Sequence, residues 1–159
     1  MKQMLSFVLN GQPVVVLAEA TDTLLDVLRE GLNVTSPKRG CDTGDCGTCT
    51  VLIDGEPIRS CVTIALTVEG KEVTTLEGLS KDGELHPLQK EFHERYASQC
   101  GFCTPGMIIT ATALLNKNPH PTREEIIDAI SGNLCRCGAY IEIVEAIEAV
   151  AGGDGKESA

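Results

Sequence analysis

Gly40-Cys41-Asp42-Thr43-Gly44-Asp45-Cys46-Gly47-Thr48-Cys49-Thr50-Val51-Leu52-Ile53 is the stretch on which the reading of this chain turns. Its cysteines follow a C-x4-C-x2-C spacing, that of a plant-type iron–sulfur loop, and a further Cys61 stands twelve positions beyond Cys49. Thr50–Ile53 followed by Asp54-Gly55 predicts a strand and a tight turn, so a hairpin would bring Cys61 back to the loop. Gly40, Gly44 and Gly47 would let backbone N–H groups approach the sulfurs of a negatively charged cluster, which bulkier residues would block. Thr43, Thr48 and Thr50 are candidate hydroxyl donors, and Asp42 and Asp45 are expected to face solvent.

A second cysteine set, Cys100, Cys103, Cys135 and Cys137, has 31 residues between its two pairs. Cys103 precedes Thr104-Pro105, a helix start with Thr104 as cap and Pro105 at the first helical position. Cys135 and Cys137 precede a final helix. The positive end of a helix dipole favours thiolate over thiol, so two helix ends could meet at one metal site. Four thiolates also suit structural zinc, and C-x2-C with C-x-C does not by itself decide between the metals. Disulfides are the third account. Met1–Phe7 has neither an apolar export core nor twin arginine, so a reducing cytoplasm is expected, and pairs such as Cys46/Cys49 are too close for ordinary bridges.

Away from the cysteines, the chain divides in character. Met4–Leu9 and Pro13–Leu17 read as strands around Asn10-Gly11, the strongest short hairpin signal. Thr21 or Asp22 would cap a short helix carrying Leu24, Leu25, Val27 and Leu28, ended by Gly31, and Val73–Thr75 would add a strand. Beyond Leu76–Gly83 helical periodicity takes over. Pro87 opens a helix through Leu88, Phe92 and Tyr96. The Thr104-Pro105 helix carries Ile108, Ile109, Ala111, Leu114 and Leu115. Thr122-x-x-Glu125 is a capping box for a third helix, and Ile143, Val144, Ile147 and Val150 mark a fourth. The tail from Gly152 is expected to be polar and frayed. The fold class is α+β, with a β-rich module over residues 1–78 and a helical one over 79–159, each holding four cysteines.

The 159 residues carry a net charge of −10, with 42% hydrophobic residues, 3% aromatics and no Trp. No basic stripe exists to displace counterions from nucleic acid, and no apolar stretch reaches the ~20 residues needed to span a membrane. Two small cores poor in aromatics would gain from metal cross-links. His86, His93 and His120 lie in no metal-type spacing and are expected to be solvent-exposed. No hydrolytic triad, phosphate-gripping glycine loop or dinucleotide fingerprint occurs, so catalytic residues are not assigned and the chemistry belongs to cofactors.

Three runs together resemble a known family: Gly40 to Val51, Gln99-Cys100-Gly101-Phe102-Cys103-Thr104-Pro105-Gly106-Met107, and Gly132-Asn133-Leu134-Cys135-Arg136-Cys137-Gly138. They are similar to the iron–sulfur subunit of the molybdenum hydroxylases, the xanthine dehydrogenase/aldehyde oxidase family, in its separate-subunit form. The resemblance implies a ferredoxin-like β-grasp domain, then a four-helix bundle, each with a 2Fe-2S cluster. Cys41, Cys46, Cys49 and Cys61 would hold one cluster, and Cys100, Cys103, Cys135 and Cys137 the other. It further implies a large molybdopterin-binding subunit, a medium FAD-binding subunit and a dimer of heterotrimers. Electrons would enter at the helical set, where Gln99 and the Cys137 segment approach the pterin, and leave from the β-domain set. Gly138-Ala139-Tyr140 departs from the Thr-Gly-Tyr of many relatives, and Tyr140 is either a partner contact or a buried aromatic. The competing readings are a self-standing two-cluster ferredoxin and a two-zinc adaptor.

Overall fold

The structure of the chain is a computed structural model describing residues 1–152; the expected polar tail beyond Gly152 lies outside the described residues. Strands β1 (Gln3–Leu9) and β2 (Gln12–Ala18) pair antiparallel about Asn10-Gly11, both with positive φ, as a tight hairpin turn requires. Leu5, Phe7 and Leu9 alternate inward and Met4 and Ser6 outward, giving β1 one buried face. The expected hairpin β3 (Thr50–Ile53) and β4 (Glu56–Arg59) turns at Asp54-Gly55, and β5 (Glu72–Thr74) lies antiparallel to β3 and parallel to β1. The result is a mixed five-stranded sheet in the order β2-β1-β5-β3-β4.

Helix α1 (Leu24–Asp26) continues through Val27–Gly31 as a wider π turn and packs Leu24, Val27 and Leu28 on the sheet's inner face. Its cap is Thr23, a correction to the expected Thr21 or Asp22. Thr23 has Asp26 three residues on and completes a capping box with it, whereas Asp22 accepts instead from the Glu19 amide.

Four further helices follow: α2 (Pro87–Glu94), α3 (Thr104–Lys117), α4 (Arg123–Ile130) and α5 (Tyr140–Ala151). Leu88, Phe92, Met107, Ile126, Ile143 and Ile147 form their shared core. The expected Thr122–Glu125 capping box is present. His86 is not a free surface histidine. Its Nδ1 accepts from the Leu88 amide and its own N–H donates to Gln89, so it is a half-buried cap; burial, then Lys81, lowers its pKa. Thr104 is not the cap of α3 but its first helical residue. Cys103 occupies the cap position, and the Thr104 hydroxyl is engaged with Ser98.

Helix α3 is buried almost all round from Pro105 to Ala113, as a helix flanked on both sides must be. One side faces the helical core. Ile109 and Ala113 on the other meet Leu52 of β3. This contact seats the helices on the sheet and sets the two cysteine loops side by side.

Candidate iron–sulfur sites

The loop between α1 and β3 wraps Cys41. The amides of Thr43 and Cys46 each point at its sulfur from 3.4 Å. The adjacent Thr43 hydroxyl and those amides bring the Cys41 thiol down to about 6, within reach of a thiolate at neutral pH. That hydroxyl is also 2.7 Å from Asp45, so the amides are the donors that the loop secures. Of the other two candidate threonines, Thr48 donates to Lys38 O while standing 3.2 Å from the Cys46 sulfur, and Thr50 donates to Gly47 O. Asp42 and Asp45 are exposed, as expected, with Asp42 paired to Arg39.

Cys49 and Cys61 are buried beside Leu25. Burial first, then the neighbouring Cys49 thiol, pushes Cys61 up to about 12. The Cys46 amide and side chain both act on Cys41, and the Cys49 thiol neighbours that of Cys61, which groups the four thiols two by two. In the helical set Cys103 neighbours Cys135, with burial and then that thiol pushing it up to about 12. Cys100 neighbours Cys137, and its pKa is lowered by the Phe102 amide first and then by that neighbour. The cysteines thus come together two by two; among the described residues no group of three or more is gathered that could hold a metal ion. Four thiols in two pairs suit a two-iron cluster, which takes two protein sulfurs on each iron.

The loops are not independent. Leu134, next to Cys135, donates its amide to the carbonyl of Cys46 at 2.8 Å. Asn133, 2% exposed, donates to Gly47 O at 3.1 Å and accepts from the Thr110 hydroxyl. A Cβ on Gly47, whose φ is +74°, would lie 2.6 Å from Gly132 O, and one on Gly106 would strike Gly47 O. Both glycines are needed so that loop can touch loop. A cavity of about 410 Å³ runs across the junction, lined by Gly40, Cys46 and Thr48 on one side and Phe102, Cys103 and Cys135 on the other.

Tyr140 sits at this cavity, and its hydroxyl accepts from the Cys135 amide at 2.8 Å, a loop-holding role beyond either expectation. Gln99, Cys100 and Cys137 are all exposed. The sequence singles out neither Asn133 nor Gly106 for these contacts. Asn133 and Gly106 did fall inside the cysteine runs, the only local signal available.

Residues 7–80 match the family described as "2Fe-2S iron-sulfur cluster binding domain", and residues 75–148 the "[2Fe-2S] binding domain". The chain is 51% identical over 87% of its length to the nicotine 6-hydroxylase small subunit of Paenarthrobacter nicotinovorans, covering 83% of that protein. It is 50% identical to the nicotinate dehydrogenase small FeS subunit of Eubacterium barkeri, over 87% of this chain and 88% of that one. The crystal structure of quinoline 2-oxidoreductase from Pseudomonas putida 86 contains a chain that superposes with a TM-score of 0.92 at 46% identity, over 99% of both. With its two 2Fe-2S domains, the chain belongs to the family of iron–sulfur electron-transfer subunits of the molybdenum hydroxylases.

Proposed function

We propose that Cys41, Cys46, Cys49 and Cys61 ligate one 2Fe-2S cluster and Cys100, Cys103, Cys135 and Cys137 the other, in a ferredoxin-like β-grasp domain (1–78) and a four-helix bundle (79–159). When bound, each cluster supplies a one-electron relay. The chain's own residues fix the ligands, shield Cys49, Cys61 and Cys103 from water, and join the two loops through Leu134 and Asn133. That direct loop-to-loop contact is the observation that carries the reading, because a relay needs its two stations close and rigid.

The exposed thiols Cys100 and Cys137, with Gln99, form the face offered to a large molybdopterin-binding subunit. A Gln amide can both donate to and accept from a pterin ring. The β-domain site then faces a medium FAD-binding subunit, in a cytoplasmic dimer of heterotrimers. Among the described residues no helix is long and apolar enough to cross a membrane. The relatives above are named for nicotine, nicotinate and quinoline. N-heteroaromatic compounds are therefore the substrate class to try first, in a pocket on a partner chain.

The test is affinity purification of the tagged chain from its native host, with cofactor analysis of whatever accompanies it. The expected result is two further chains, one with molybdopterin and one with FAD. A chain that purifies alone, with both clusters reduced by soluble carriers, would establish the self-standing ferredoxin instead.

A further inference from the structure

Arg59, at the end of β4, extends its guanidinium into the junction between the two thiol loops. Nη1 donates to the Thr50 hydroxyl at 2.9 Å, and Thr50 in turn donates to Gly47 O, one residue beyond Cys46. Nη2 donates to Gly132 O at 2.8 Å, three residues before Cys135. A Cβ on Gly132 would lie 2.6 Å from that nitrogen, so the glycine makes room for the cation. Nε is buried without a hydrogen-bond partner. Among the described residues no carboxylate pairs with Arg59, in a chain whose net charge is −10. The contrast is Arg39 beside Cys41, whose charge is met by both Asp26 and Asp42.

A guanidinium does not lose its proton in a protein, so a partly buried one with no counter-ion is costly unless negative charge arrives near it. Four thiolates around two ferric ions and two sulfides give a site of charge −2, which becomes −3 on reduction. Net charge and hydrogen bonding are among the levers that set such potentials. We propose that Arg59 is a positioning residue for electron transfer, a fixed cation pinned between the two cluster loops that raises the reduction potential of both clusters. This rests on the two-cluster assignment above. It adds that the counter-charge for the sites comes from the hairpin strand that returns the chain to Cys61.

The experiment is an EPR-monitored dithionite titration of the purified complex carrying the native chain, Arg59→Gln or Arg59→Lys. Gln keeps a polar amide but carries no charge; Lys keeps the charge without the fork. With Arg59→Gln, the reduced-to-oxidised ratio at a fixed potential falls about tenfold for both clusters, a drop of about 59 mV for a one-electron couple. With Arg59→Lys both ratios stay within about threefold of the native chain while Tm falls. Unchanged ratios in Arg59→Gln, or an equal fall in Arg59→Lys, overturn the proposal. If Arg59→Gln does not retain its clusters, Arg59→Lys decides alone: held potentials with a lowered Tm support the role of charge, and a tenfold fall refutes it. A native chain without two reducible clusters would refute the cluster assignment itself, which keeps the two failures apart.

Discussion

Replacing Asn133 with alanine removes a buried amide that bridges helix α3 to the N-terminal cysteine loop. Gly47 O keeps its hydrogen bonds from the Thr50 amide and hydroxyl, so its loss is one ordinary bond, about 1 kcal/mol. The Thr110 hydroxyl, 6% exposed, loses its acceptor, and stranding a buried polar group adds about 1–2 kcal/mol. The sum is a destabilisation of about 2–3 kcal/mol. For a chain of this length that lowers Tm by about 5–10 °C. Urea and thermal unfolding followed by circular dichroism measure it directly. Thr110→Val alone should destabilise by about 1 kcal/mol, and the double variant should fall short of the summed effects by at least about 0.5 kcal/mol because the two share one bond. A change below about 0.5 kcal/mol for Asn133→Ala would refute the bridging role.

Gly106→Ala places a methyl against Gly47 O; it should destabilise by about 1–3 kcal/mol and lower iron retention at the N-terminal site, although residue 106 lies in a helix of the other module. Tyr140→Phe deprives the Cys135 amide of its acceptor, and the helical-site absorbance should bleach faster in air while the other site is unchanged. Cys100→Ser should abolish one EPR signal and leave the N-terminal one, since Cys100 is exposed and makes none of the hydrogen bonds that join the two loops; loss of both would contradict two separable sites. Burial raises the Glu77 carboxyl, but bonds from Ser36 and Thr75 outweigh it and hold the pKa below the usual range. A group whose folded pKa is depressed stabilises fully above its unfolded pKa and loses that contribution as pH falls through the folded value. Stability of the native chain should therefore decline more steeply below about pH 4.5 than that of Glu77→Gln, and parallel pH profiles would contradict this.

The cysteine spacing, the Asn10-Gly11 and Asp54-Gly55 turns and the Thr122 capping box act over a few residues, so each was legible in the sequence. The Thr23 and His86 caps are local too, but they compete with equally good neighbours: Thr21 and Asp22 for one, and Pro87 as a sufficient start signal for the other. The loop junction has no local signature. Arg59 reaches Gly132 across 73 positions and Asn133 reaches Gly47 across 86, distances that only the packing of α3 on β3 closes. Grouping cysteines by spacing separates the two sets; it does not reveal that the loops carrying them lean on each other.

Iron and acid-labile sulfide analysis of the purified chain, paired with its EPR spectrum after reduction, tests the central claim most directly. Two 2Fe-2S sites predict about four iron and four sulfide per chain and two distinct signals. Zinc in their place, or about two iron with a single signal, would contradict it.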